Sequence, residues 1–225
     1  MQRTVLITGA SSGIGAAVAR ALSGHFRLIL VARRKDRLQA LAKEVGNAVV
    51  IAEDLTDPAA CARIAAACSG GLDGLVNNAG AFATAACGEI TTEHLERMLA
   101  INLRAPILLT AACLPHLRAG ATIVNVSSRV VDQAFATCAA YTASKCGLEG
   151  WSRVLAEELR PRRIRVCIVA PGATDTEIWP PAFAAADRAR MVRAADVAEA
   201  IRLAIEAHPN ASFDRIAVTP QGGAV

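Results

Sequence analysis

The chain alternates short β-branched apolar runs with longer amphipathic stretches from end to end, and that alternation limits what it can fold into. The runs cover residues 5–8, 27–32, 48–52, 74–77, 122–126, 164–170 and 215–219; the amphipathic stretches cover 14–22, 36–45, 58–68, 92–117, 139–159 and 195–207. Near-continuous apolar runs suit strands buried on both faces. Strands that alternate with helices form right-handed βαβ units and a parallel sheet. The expected fold is a doubly wound α/β domain over residues 1–225, with a mostly parallel seven-stranded sheet and helices on both faces. Aromatic residues make up only 4% of the chain, so the core falls to Ala, Val, Leu and Ile. Pro58 after Asp57 marks a helix start, and Thr92 a capped start. Pro106 falls inside 92–117 and should kink that helix or end it early.

The rest of the composition mainly excludes. The net charge is +4, and the arginines are spread out apart from the pairs Arg33-Arg34 and Arg162-Arg163. No basic run suits nucleic acid or a membrane surface, so neither is an expected partner. The seven cysteines are odd in number and form no CxxC pair or zinc spacing. They read as reduced, mostly buried small apolar residues in a reducing compartment. The four histidines lie far apart, so no metal site is expected. No signal peptide precedes the first strand, and the apolar runs read as too short to span a bilayer. The expectation is a soluble cytoplasmic protein.

Directly after the first strand, Thr8-Gly9-Ala10-Ser11-Ser12-Gly13-Ile14-Gly15 runs into a helix. Glycine lets the backbone turn sharply and approach a ligand closely. A helix N-terminus offers free N–H groups and the positive end of its dipole. A pyrophosphate fits there, and a Gly-rich turn between first strand and first helix is a strong dinucleotide signal. An NAD site often carries an acidic residue about 20 positions on, which holds the ribose hydroxyls. Here the second strand ends Val31-Ala32-Arg33-Arg34. A carboxylate would repel a 2′-phosphate, whereas guanidinium groups hold one. NADP(H) is favoured over NAD(H), beside the plainer reading of two solvated arginines.

Tyr141 is the only tyrosine, and Lys145, four residues on, is one of three lysines. On a helix, positions i and i+4 share a face. A cation beside a phenol favours phenolate and lowers a pKa that is otherwise about 10. Proton transfer to or from a carbonyl oxygen near neutral pH needs such tuning. The plainer alternative is a core tyrosine with a surface lysine.

In order, these segments resemble the short-chain dehydrogenase/reductase family, in its subgroup with the TGxxxGxG turn. The match runs along nearly the whole chain. It comprises Thr8-Gly9 with Gly13 and Gly15, Asp54-Leu55, Asn77-Asn78-Ala79-Gly80, Asn102, Ser127-Ser128, Tyr141 with Lys145, and Pro171-Gly172. The resemblance implies a Rossmann-type sheet and hydride transfer between NADP(H) and a small or medium carbonyl or alcohol substrate. It implies that Tyr141 is the acid in reduction and the base in oxidation, and that Lys145 lowers its pKa and bonds the nicotinamide ribose. Ser128, thirteen residues before Tyr141, would polarise the carbonyl in preference to Ser127. Asn102 would hold a water that relays protons to Lys145. Ser11, Ser12 and Ile14 would join the glycines around the pyrophosphate. Asp54, with Leu55, would meet the adenine. Asn78 and Gly80, with Ala79 between them, would flank the adenosine ribose. Ala170, Pro171, Gly172 and Thr174 would line the nicotinamide. A homodimer or homotetramer paired through the 92–117 and 139–159 helices is also implied.

The chain departs from the family pattern after Ser128, where Arg129-Val130-Val131-Asp132 stands in place of small residues. Arg129 and Gln133 either contact substrate or face water. The segment 172–190, with Trp179-Pro180-Pro181, is either a mobile lid or an ordinary connection. Besides the reductase, two further readings stay open: a nucleotide-binding sensor or scaffold without turnover, and an epimerase or dehydratase. No residue marks the substrate.

Overall fold

The computed structural model describes residues 2–179 and 185–223. Strands β1 (Thr4–Thr8), β2 (Arg27–Ala32), β3 (Ala48–Ala52), β4 (Leu72–Asn77), β5 (Leu117–Val126), β6 (Arg165–Pro171), β7 (Thr174–Asp175), β8 (Val192–Arg193) and β9 (Arg215–Val218) fall close to the apolar runs, except for the short pair β7 and β8. The main sheet has seven strands in the order β3-β2-β1-β4-β5-β6-β9, and every pairing in it is parallel. This is the Rossmann-type doubly wound arrangement expected from the alternation. The strand order reverses between β1 and β4, and ligands of such sheets sit beyond the strand C-termini at that point.

The helices are α1 (Gly13–Leu22), α2 (Lys35–Val45), α3 (Pro58–Ala66), α4 (Thr92–Leu99), α5 (Ala105–Cys113), α6 (Ala139–Leu159), α7 (Ala185–Arg188) and α8 (Ala194–Glu206). Successive strand residues face opposite sides of a sheet. Val5 and Ile7 therefore join α1, α2 and α8 in one core, while Leu6 joins α3, α5 and α6 in the other. Asp57 caps α3 through its carboxylate, with Pro58 in the first turn, and Thr91, one residue before Thr92, caps α4.

The 92–117 stretch is helical from Thr92 to His116, but it is not uniformly α. A π turn, Ala100–Arg104, separates α4 from α5. Pro106 has no N–H to offer the Asn102 carbonyl four residues back, so the helical ladder loosens just upstream of the proline. The helix does not end at the proline; the irregularity is this π turn just upstream of it, and Asn102 sits in it. By length and composition Thr92–His116 would pass for a membrane span, which corrects the expectation drawn from run lengths. A π turn lies within it, and Ala105, Leu109 and Cys113 on one face pack into the second core.

Candidate active site

A cleft of about 1110 Å³ opens along the C-terminal edge of the sheet, lined by the loops that follow its strands. Its nucleotide end is built on β1. Gly9 sits at φ +66°, and a Cβ there would lie 2.8 Å from Asn78 Nδ2 and 2.9 Å from Ala79 Cα. Gly13 sits at φ +52°, facing Thr176. A Cβ on Gly15 would run into the carbonyl of Gly9. Gly15 does not line the cleft; it lets α1 press against the turn. Ser12 precedes α1 without capping it through its side chain, and the first turn carries no acid. A cradle that has no room for side chains, at an uncapped helix start, fits a pyrophosphate.

Thr8 and Asn78 staple the turn to the loop after β4. Thr8 Oγ1 donates to the Val76 carbonyl at 3.2 Å and accepts from the N–H groups of Asn78 and Ala79, both at 3.0 Å. The Asn78 amide donates to the Thr8 carbonyl at 2.9 Å. Its side chain is thus bonded to the protein, which gives it a structural duty beside the expected one at the ribose.

Ser11, Ser12, Ile14, Arg33, Arg34, Asp54, Leu55, Ala79 and Gly80 all line the cleft. Asp54 accepts from the Thr56 N–H at 2.9 Å and the Thr56 hydroxyl at 2.8 Å, and these bonds hold its carboxyl below the usual range. The two arginines differ. Among the described residues Arg33 pairs with Asp54 alone, at 4.0 Å, and its side chain is 78% exposed. Arg34 bonds Ser11 at 3.2 and 3.0 Å, Ser12 at 2.6 Å and Glu177 at 3.0 Å.

The other end of the cleft is built on α6 and the loop after β5. Tyr141 and Lys145 share a buried face of α6. Ser128 hydrogen-bonds the phenol, whereas Ser127 is buried and donates to Glu149 at 2.7 Å. Lys145 Nζ donates to the Val126 carbonyl at 2.8 Å and lies 5.8 Å from the Tyr141 ring centroid. Asn102 pairs with both backbone groups of Ala81, accepting at 3.0 Å and donating at 2.9 Å. A Cβ on Gly80 would lie 2.9 Å from Asn102 Oδ1 and 3.7 Å from Lys145 Nζ, so this glycine keeps the space between them open. Pro171, Gly172 and Thr174 line the same end, and Thr174 Oγ1 donates to the Gly172 carbonyl at 2.9 Å.

One electrostatic expectation is corrected. Among the protein's own groups, burial pushes the Tyr141 phenol up to about 12, and the Ser128 hydrogen bond only opposes this. Tyr141 lies in an apolar cluster with Met98, Val130 and Ala140, which disfavours phenolate. Burial also pulls Lys145 down to about 8, partly offset by Glu149. The ammonium is therefore a weaker lever on the phenol than the spacing alone suggests.

Several site residues escaped the sequence reading. Phe82 packs edge-on against Tyr141 at 5.1 Å between centroids and meets Trp179 at a tilt, at 5.4 Å. Trp179 Nε1 donates to the Thr174 carbonyl at 2.8 Å, Arg188 pairs with Asp175 at 2.7 Å, and β7 pairs with β8. These bonds tie down both described parts of the segment read as a possible lid; Pro180 and Pro181 lie outside the described residues. Glu149, only 3% exposed, bonds Ser127 and Arg215, and Arg215 also pairs with Asp132. Asp132 in turn holds Arg129 at 3.0 Å. Arg129 and Gln133 line the cleft, Arg129 through a half-buried, ion-paired side chain. Glu149 was findable, because it extends the Tyr141–Lys145 face by one more turn. Phe82, Glu177 and Arg215 carry no local signal.

Comparison with known proteins identifies the family. The sequence model of the family described as short chain dehydrogenase matches residues 3–187. A short-chain dehydrogenase from Burkholderia cenocepacia, solved in complex with NADP, superposes with a TM-score of 0.89 at 34% identity, covering 99% of this chain and 98% of that one. An uncharacterized oxidoreductase of Mycobacterium tuberculosis is 37% identical over 231 residues, 98% of this chain and 92% of the relative. An uncharacterized oxidoreductase of Methylorubrum extorquens is 36% identical over 184 residues, 78% of this chain and 74% of the relative. The chain is an oxidoreductase of the short-chain dehydrogenase/reductase family.

Proposed function

We propose that this enzyme is an NADP(H)-dependent reductase of small or medium carbonyl compounds, reversible to alcohol oxidation. The observation that carries the reading is a single cleft with Ser128, Tyr141 and Lys145 at one end and the glycine cradle with two arginines at the other. Ala32 stands at the end of β2, where a carboxylate would repel a 2′-phosphate, and Arg33 offers an open guanidinium beside it. The NADP bound by the Burkholderia relative supports the same choice.

The bound nicotinamide supplies or takes up the hydride. The chain's own residues manage the proton and the orientation. Ser128 Oγ–H donates to the substrate oxygen and fixes the carbonyl against Tyr141. The Tyr141 hydroxyl gives its proton to that oxygen as negative charge develops on it. Its high pKa makes it a well-stocked donor in reduction and a reluctant base in oxidation. Lys145 steadies the transient phenolate, and its ammonium strengthens as the charge appears next to it. Phe82, Trp179 and Val130 wall the substrate end with apolar surface, which suits a substrate with an apolar body. We place the protein in the cytoplasm as a homo-oligomer. Exposed Leu108 on α5 and Val154 on α6 support pairing through those helices.

Titration with NADPH and NADH, followed by nicotinamide fluorescence, tests the cofactor. Tighter NADPH binding is expected, and tighter NADH binding would overturn the choice. Tyr141→Phe tests the chemistry. It should lower kcat by a factor on the order of 10² or more while NADPH binding stays within about twofold. Activity close to wild type would mean that another group gives the proton.

A further inference from the structure

Glu177 follows β7 in sequence, far from the end of β2, yet its carboxylate closes on the start of α2. Arg34 Nη1 donates to it at 3.0 Å, and Arg37 Nη1 donates to its two oxygens at 2.6 and 2.7 Å. Glu177 and Arg34 both line the nucleotide end of the cleft. The remaining donors of Arg34 go to the hydroxyls of Ser11 and Ser12, in the glycine turn itself. Those hydroxyls can rotate and present an O–H to an incoming anion. The carboxylate has no proton to present, so it must yield its place or repel.

We propose that Glu177 is a cofactor-selectivity residue: its carboxylate stands at Arg34 where the 2′-phosphate of NADP(H) binds, and the nucleotide binds by displacing it. The inference rests on the NADP(H) reading above and adds a competitor to it. Arg33 is the open half of the phosphate seat and Arg34 the occupied half. Arg37 holds both oxygens of Glu177, one of them shared with Arg34. NADPH affinity is therefore set by an exchange of one anion for another. NADH brings no 2′-phosphate and leaves the Glu177 clasp shut.

The test compares wild type with Glu177→Gln. Both are titrated at low salt with NADPH, NADH and adenosine 2′,5′-bisphosphate, and a melting curve checks that each is folded. The side chain is 57% exposed, so the fold should tolerate the change. Glu177→Gln should bind NADPH and the bisphosphate about three- to tenfold more tightly and NADH within about twofold of wild type, with the gain shrinking as salt screens the arginines. Unchanged or weaker binding of NADPH by the variant, or equal tightening of NADH, would overturn the proposal. A wild type without preference for NADPH would sink the cofactor reading alone. Glu177→Gln still decides in that case: a newly acquired NADPH preference supports the clasp, and none overturns it.

Discussion

Tyr141 and Lys145 show how far one residue pair carries. Their spacing placed both on one face of α6, and both are buried there. Burial then acts on each in opposite senses, raising the phenol and lowering the ammonium. Lys145 falls from an ordinary 10.5 to about 8. Between those values an unfolded chain holds a proton that the folded protein has released, so this group's contribution to stability grows as pH rises through that window. Tyr141, raised from 10.0 to about 12, works the other way above its ordinary value: its contribution is whole at lower pH and is lost as pH climbs towards 12. The stability of wild type relative to Lys145→Met should therefore improve by on the order of 1–2 kcal/mol between about pH 7.5 and 9.5 in urea unfolding. A gap that stays flat with pH would show that Lys145 is solvated in the folded enzyme.

At the scale of elements, the loop after β5 is held from behind. Glu149 on α6, Arg215 on β9 and Asp132 after Ser128 form one ion-paired chain. Removing Glu149 strips Ser127 of its acceptor and leaves Arg215, among the described residues, paired with Asp132. Glu149→Ala should cost about 2–3 kcal/mol in denaturant unfolding, and Glu149→Gln clearly less, since it keeps an acceptor. Equal losses would mean that the space filled matters more than the bonds. Much at this scale was legible. The Gly-rich turn, the start of α3 at Pro58 and the missing helix bond at Pro106 follow from backbone chemistry within a few residues. The π turn itself was not legible, because Pro106 decides only that a bond is missing, and packing decides how the helix absorbs the loss.

Across the whole molecule, two cores sandwich the sheet, and the cleft collects loops from every strand of it. Exposed apolar side chains remain on α5 and α6, Val154 among them at 57% exposure. If those helices pair between copies, Val154→Glu should shift the protein to a smaller assembly in light scattering while its far-ultraviolet circular dichroism is unchanged. An unaltered mass would move the interface elsewhere.

The sequence by itself determined the strand–helix alternation, hence the parallel sheet, and the glycine turn, the arginine pair, Ser128, Tyr141 and Lys145 that line the cleft. Those follow from periodicity, from glycine and proline, and from spacings short enough for one helix or turn to enforce. Only the tertiary structure decided that Asn78 bonds Thr8, that Phe82 meets both Tyr141 and Trp179, and that Glu177 reaches Arg34. Each joins residues from different βα units. Their meeting depends on strand order and on how far each loop reaches, which no local pattern encodes. The direction of the Tyr141 shift belongs with them, because it is set by how much water the folded chain excludes.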